Sequence, residues 1–180
     1  MSEPVLLTIS GSLREGSYNR MLCRVAAEAF GPAKVVVGDL DLPLYNGDLE
    51  QAEGIPAKVQ QLADQIAGAD AIVISAPEYN KGISGVLKNA LDWVSRTEGN
   101  AFAGKPTVVV SAAAGRTGGE TAQFMTMACL LQLQAQIISG PAVLVAGASK
   151  EFSDAGALTN DRYHDTLKTR MAALRAAIKA

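Results

Sequence analysis

Short runs of β-branched residues, separated by stretches with helical spacing, constrain this 180-residue chain more than any other feature. Val5 to Ser10, Lys34 to Gly38 (KVVVG), Ala71 to Ala76 (AIVISA), Thr107 to Ala112 (TVVVSA) and Ala142 to Ala146 (AVLVA) carry consecutive apolar residues instead of alternating ones. That pattern predicts strands covered on both faces, as in a parallel sheet flanked by helices. An earlier start for the fifth strand, nearer Ile137, is also compatible with the pattern.

Between the runs the period changes. Leu22, Val25, Ala26 and Ala29 fall on one face of a first helix, and Ile55, Val59, Leu62 and Ile66 form a second stripe with Pro56 in its first turn. Leu87, Ala90, Leu91 and Val94 repeat the spacing, as do Tyr163, Leu167, Met171, Leu174 and Ile178 near the C-terminus. A further helix is expected from Gly119 to Gln134. Strict alternation of strand and helix, without internal repeat or low-complexity linker, predicts one domain over residues 1–180. The expected architecture is α/β: a flavodoxin-like doubly wound sandwich with a five-stranded parallel sheet in the order 2-1-3-4-5. Ligands of such sheets bind beyond the carboxyl ends of the strands, at the loops after strands one, three and four.

Composition narrows the function. Hydrophobic residues make up 48% and charged residues 19%, as in a globular chain. The net charge of −2, with no basic stripe, argues against nucleic-acid binding. No apolar run approaches the roughly 20 residues that span a bilayer. The start, Met1-Ser2-Glu3-Pro4, lacks the basic residues of a signal peptide, which points to the cytoplasm. Cys23 and Cys129 have no CxxC partner or nearby histidine and read as structural thiols, so neither a disulfide nor a metal site is expected.

The first loop, Ser10-Gly11-Ser12-Leu13-Arg14-Glu15-Gly16-Ser17-Tyr18-Asn19, supplies glycines, hydroxyls, an arginine and an amide just before a helix. Helix N-termini carry unpaired N–H groups and partial positive charge. Ser12, Ser17 and Asn19 add neutral donors and Arg14 a charged fork, a set suited to a phosphate monoester. The plainer alternative is an ordinary loop with Ser17 as N-cap. A Walker A loop would need Lys before the hydroxyl residue, and Gly16 is followed directly by Ser17; a GxGxxG fingerprint and a catalytic thiol are likewise missing. A phosphate at this loop is expected to be held and not cleaved.

The third-strand loop runs Pro77-Glu78-Tyr79-Asn80-Lys81-Gly82 and contains no phosphorylatable Asp of the response-regulator type. Its backbone amides, aromatic plane and side-chain amide suit the edge of a planar heterocycle. The fourth, Ser111-Ala112-Ala113-Ala114-Gly115-Arg116-Thr117-Gly118-Gly119, is small enough for backbone to pass close to a flat ring.

Together, Gly11-Ser12-Leu13-Arg14-x-x-Ser17-x-Asn19, Pro77-Glu78-Tyr79-Asn80 and Leu87-Lys88-Asn89-Ala90-Leu91-Asp92-Trp93 resemble the NADPH-dependent FMN reductase family, which includes bacterial quinone reductases, chromate reductases and azoreductases. The resemblance spans nearly the whole chain. It implies an enzyme in which Ser12, Leu13, Arg14, Glu15, Gly16, Ser17, Tyr18 and Asn19 surround the FMN phosphate, Pro77 to Asn80 line the isoalloxazine ring, and Ser111, Ala112 and Gly115 approach it. It further implies NADPH or NADH as co-substrate, and quinones, azo compounds, chromate, ferric complexes or free flavin as acceptors reduced by a ping-pong, two-electron route. A homodimer or homotetramer is implied, with Trp93 and Arg96 near the subunit interface and Phe124 where some relatives have tyrosine. The chemistry belongs to the flavin. His164 lies on the last helix, away from the loops, and Glu78 is read as a shaping group, not an acid. A flavodoxin-like electron carrier and a flavin-free module are the alternatives; mild acidity disfavours the first, and Arg14 with Asn19 the second.

Overall fold

The computed structural model describes residues 3–178. The chain forms β1 (Val5–Ser10), α1 (Tyr18–Phe30), β2 (Lys34–Gly38), α2 (Gly47–Glu53), α3 (Ala57–Gly68), β3 (Ala71–Ser75), a hairpin of β4 (Glu78–Tyr79) and β5 (Gly82–Ile83), α4 (Gly85–Val94), β6 (Pro106–Ala112), α5 (Glu120–Gln132), β7 (Gln136–Ile137), β8 (Leu144–Val145), a 3-10 turn (Ala148–Lys150) and α6 (Asp161–Ala176). The main sheet is parallel in the order β2-β1-β3-β6-β7, with β8 also paired to β6. This is the expected flavodoxin-like winding.

Alternate residues of each strand point to opposite faces, so one sheet serves two cores. Leu7, Ile9, Ile72, Ile74 and Val109 pack with residues of α3, α4 and α5. Leu6, Val73, Val108 and Val110 pack with residues of α1 and α6. β3 and β6 are buried throughout, which explains their unbroken apolar sequences.

β2 departs from the expectation of cover on both faces. It is the sheet's edge, and Val35 and Val37 stay 47% and 70% exposed because α1 packs over β1, β3 and β6 instead. The fifth strand is also corrected: it is two fragments on one edge of β6, Pro106↔Gln136 with Thr107↔Ile137, then Ser111↔Leu144 with Ala112↔Val145. Pro141, which has no N–H to donate, and Gly140 at φ 147° lie in the break. The side chain of Gln123 fills the gap by donating to the Val109 carbonyl (2.9 Å), and buried Arg170 donates to the Ile138 carbonyl (2.6 Å).

Two elements lie outside the sequence expectation. α2 has no buried residue and hence no apolar stripe; Asn46 caps it, accepting from the Asp48 N–H at 2.9 Å. The hairpin turns through Asn80 and Lys81 at φ 50° and 63°, two consecutive left-handed residues as in a type I′ turn. Among the described residues no helix is long and apolar enough to cross a membrane.

Candidate functional site

The loops after β1, β3 and β6 meet at the carboxyl edge of the sheet, and short contacts lock them together. The Gly11 N–H donates to Ser75 O (2.9 Å), and Ser84 Oγ donates to Gly11 O (2.7 Å). A Cβ on Gly11 would lie 2.7 Å from Pro77 Cδ, so only glycine lets the first loop approach the third-strand loop this closely. On the other side, Ala76 N donates to Val110 O (2.9 Å) and Ser111 Oγ to Ala76 O.

The first loop presents donors. The N–H groups of Leu13, Arg14, Glu15 and Gly16 meet no protein acceptor among the described residues. Ser17 caps α1 by accepting from Asn19 N (3.2 Å), which leaves its own O–H to donate. Arg14 is exposed and held only by Gly16 O, at 3.3 Å. Successive free amides, a helix N-terminus, a hydroxyl and a guanidinium make an anion seat.

Several expected site residues have other duties. Asn19, read as a phosphate donor, is buried; its Oδ1 accepts from Ser75 Oγ (2.8 Å) and Ala112 N (3.1 Å), and its Nδ2 donates to Ala112 O (2.9 Å). It therefore ties α1 to β3 and β6, positioning the loop instead of lining its mouth. Ser111 is fully buried under Gly119, and both backbone polar groups of Ala112 are engaged by Asn19, so neither presents a free group to a ligand. Tyr18 turns toward the helical core and stacks on Phe152 at 5.6 Å.

The remaining residues divide between two hollows. Ser12, Leu13 and Glu15 border one of about 420 Å³ that extends to β2. Glu78, Asn80 and Gly115 border another of about 460 Å³ between the hairpin and the β6–α5 loop, joined there by Lys81 and Arg116. Pro77 is buried, and Tyr79 is 54% exposed. Glu78 Oε2 accepts from the N–H groups of Thr121 (3.0 Å) and Ala122 (3.3 Å). It thus caps α5, whose N-cap Gly119 has no side chain to do so, while Lys81 Nζ lies 3.6 Å from Oε1. The carboxylate holds the hairpin to the helix.

Sequence reasoning missed Ser75, Ser84, Lys81 and Arg116. Small hydroxyl residues at strand ends carry no distinctive signal, and the two cations converge only through loop geometry. Trp93 is fully buried within the chain, donating to Pro43 O (2.8 Å) and meeting Tyr45 edge-on at 5.0 Å. Arg96 pairs with Glu50 at 3.1 Å, and this hydrogen bond, opposed by some desolvation, holds the Glu50 carboxyl below its ordinary pKa. Burial pushes the Cys23 thiol up to about 12, so it stays neutral, while Cys129 is only half-buried. No cluster of three or more potential metal ligands occurs among the described residues.

This arrangement, an anion seat and a shallow hollow on one edge of a parallel sheet, has a counterpart among known proteins. Residues 4–150 match the family model for NADPH-dependent FMN reductases. The chain belongs to that family. This FMN reductase family member is 37% identical over 177 residues to an NAD(P)H-dependent FMN reductase of Pseudomonas aeruginosa, covering 97% of this chain and 95% of that one. It is 42% identical over 146 residues to a quinone reductase of Escherichia coli, covering 78% and 77% of the two chains. Among solved structures, the flavoenzyme NAD(P)H:(acceptor) oxidoreductase FerB from Paracoccus denitrificans superposes with a TM-score of 0.86 at 30% identity, covering 97% of each chain.

Proposed function

We propose that the chain is an FMN-dependent NAD(P)H oxidoreductase that reduces quinones and other small acceptors in two-electron steps. The observation that carries this reading is the run of free amides from Leu13 to Gly16, placed with Ser17 and Arg14 at the start of α1, on the same carboxyl edge of the sheet as the hollow between the hairpin and the β6–α5 loop. A dianionic phosphate fits that donor set of backbone amides, a hydroxyl and a guanidinium. Ser12, Arg14 and Ser17 would hold the phosphate and Asn19 would hold the loop in place. Pro77 to Asn80 and Ala113 to Gly115 would border the ring, with Lys81 and Arg116 at the mouth. When bound, FMN would supply hydride acceptance and return, and these residues would orient it. Azo compounds, chromate, ferric complexes and free flavin are further acceptors of suitable size for an open face.

The exposed side chains of Phe124 (59%), Met125 (41%) and Leu131 (64%) on α5 support a homodimer or homotetramer assembled through that helix. Alternating occupancy of one site gives ping-pong kinetics.

Purified protein titrated with FMN is expected to quench flavin fluorescence stoichiometrically, and NADPH to bleach the bound flavin without air. Protein that leaves FMN free, or holds FMN that neither NADPH nor NADH bleaches, would refute the reading. Initial-rate plots against NADPH at several quinone concentrations are expected to be parallel; lines that converge would exclude a shared site.

A further inference from the structure

The turn between β4 and β5 holds a residue that its geometry does not favour. Asn80 and Lys81 both have left-handed backbone, at φ 50° and 63°, and the second of two such positions is ordinarily glycine. Asparagine tolerates the region because its short side chain can bond locally; lysine has no such compensation. The Lys81 side chain is 71% exposed and borders the hollow of about 460 Å³ between the hairpin and the β6–α5 loop. That loop contributes Arg116 to the same hollow, exposed and paired with no carboxylate among the described residues. Glu78 also lines the hollow, but it is committed to α5: its Oε2 accepts from two helix amides, and its side chain is only 10% exposed. Lys81 Nζ, 3.6 Å from Oε1, lies beyond hydrogen-bond length. The rest of the lining, Asn80, Thr117 and the small residues from Ala113 to Gly115, carries no charge. Two cations against one carboxylate leave the mouth positive.

Resting on the oxidoreductase reading above, we propose that Lys81 and Arg116 select the acceptor: they favour planar quinones that carry a carboxylate or sulfonate over neutral quinones of the same ring size. The quinone takes up a hydride from the reduced cofactor and a proton from solvent to become the hydroquinone. Its anionic substituent forms and breaks no bond and serves as a handle held at the mouth. Charge placed this way acts on encounter and orientation, and salt screens it. Each exposed cation contributes on the scale of a surface ion pair, so together they give a preference of about tenfold.

Stopped-flow reoxidation of the photoreduced, FMN-loaded protein tests this, with naphthoquinone sulfonate and neutral methylnaphthoquinone as acceptors. Reduction by light keeps NADPH out of the measurement. In a Lys81→Gly, Arg116→Ala double variant the ratio of the two second-order rate constants, sulfonate over neutral, is expected to fall about tenfold. Glycine suits the left-handed turn, so the hairpin is retained, and Arg116→Lys is expected to keep most of the preference. Rising ionic strength is expected to slow the sulfonate reaction of the wild type and to leave that of the double variant flat. Calorimetric titration of the oxidised, FMN-loaded protein with redox-inert naphthalene sulfonate is expected to show the same tenfold weakening. A wild-type sulfonate rate indifferent to salt would overturn the proposal, and that series stands even where the double variant fails to fold. So would an unchanged ratio, an equal loss for both acceptors, or variants slowed only in their reduction by NADPH, since the cations would then hold the reductant. Protein that takes up no FMN refutes the oxidoreductase reading before any acceptor is added; protein that binds FMN and is bleached by NADPH, yet does not discriminate, overturns this inference alone.

Discussion

Arg14 illustrates how far a single residue can be argued. It is exposed, its one hydrogen bond is to the Gly16 carbonyl, and its own amide and those of Leu13, Glu15 and Gly16 are free, so an incoming phosphate meets a cation that gives up little. Arg14→Ala is expected to weaken FMN binding by about 1.5–3 kcal/mol, the scale of a hydrogen bond between charged groups. Titration of the flavin-free variant checks this, and wild-type affinity would remove Arg14 from the site. The donor chemistry of this loop was legible in the sequence because residue types alone define it. The orientation of Asn19 was not: its partner Ala112 is 93 positions away, and an amide reads the same whether it faces a ligand or a strand. Ser111 hides its role for the same reason, with its acceptor 35 positions away.

Among the elements, β1, β3 and β6 with their covering helices follow directly from apolar runs and stripes, because burial on both faces leaves a dense signal. The split fifth strand and the hairpin left weaker traces, since two-residue strands are set by neighbours, not by pattern. Gly118 shows the constraint at the β6–α5 junction: it has φ 62°, and a Cβ there would fall 2.5 Å from the Leu144 backbone carbonyl carbon. Gly118→Ala is expected to lose about 2–4 kcal/mol, from left-handed strain and overpacking together; urea denaturation measures it, and a loss below 1 kcal/mol (about the strain alone) would deny the close approach. A second element-level device is the brace of α2 on α4, in which Arg96, then Tyr45, bonds to Glu50. The Glu50 pKa is depressed in the folded chain, so this stabilisation is present above the ordinary carboxylate pKa and is lost as pH falls through the lower folded value. The difference in melting temperature between wild type and Glu50→Gln is therefore expected to shrink on acidification and to be constant near neutrality.

At the scale of the molecule, both cores lean on the same strands: Leu6 and Leu7 are neighbours in β1 yet belong to opposite clusters. Loss of one core removes the backing of the other. A single domain unfolding in one step is the expected outcome, with near- and far-ultraviolet circular dichroism tracing the same urea transition; separated midpoints would divide the chain into independent units. The order of the sheet was legible as a whole because alternating strands and helices leave few ways to wind. The exposed flank of β2 was not, because KVVVG reads like any buried strand. That flank has a further consequence for the chain in concentrated solution. Three consecutive valines at an open border, with Lys34 the sole charge along them, form a ribbon onto which another polypeptide could zip.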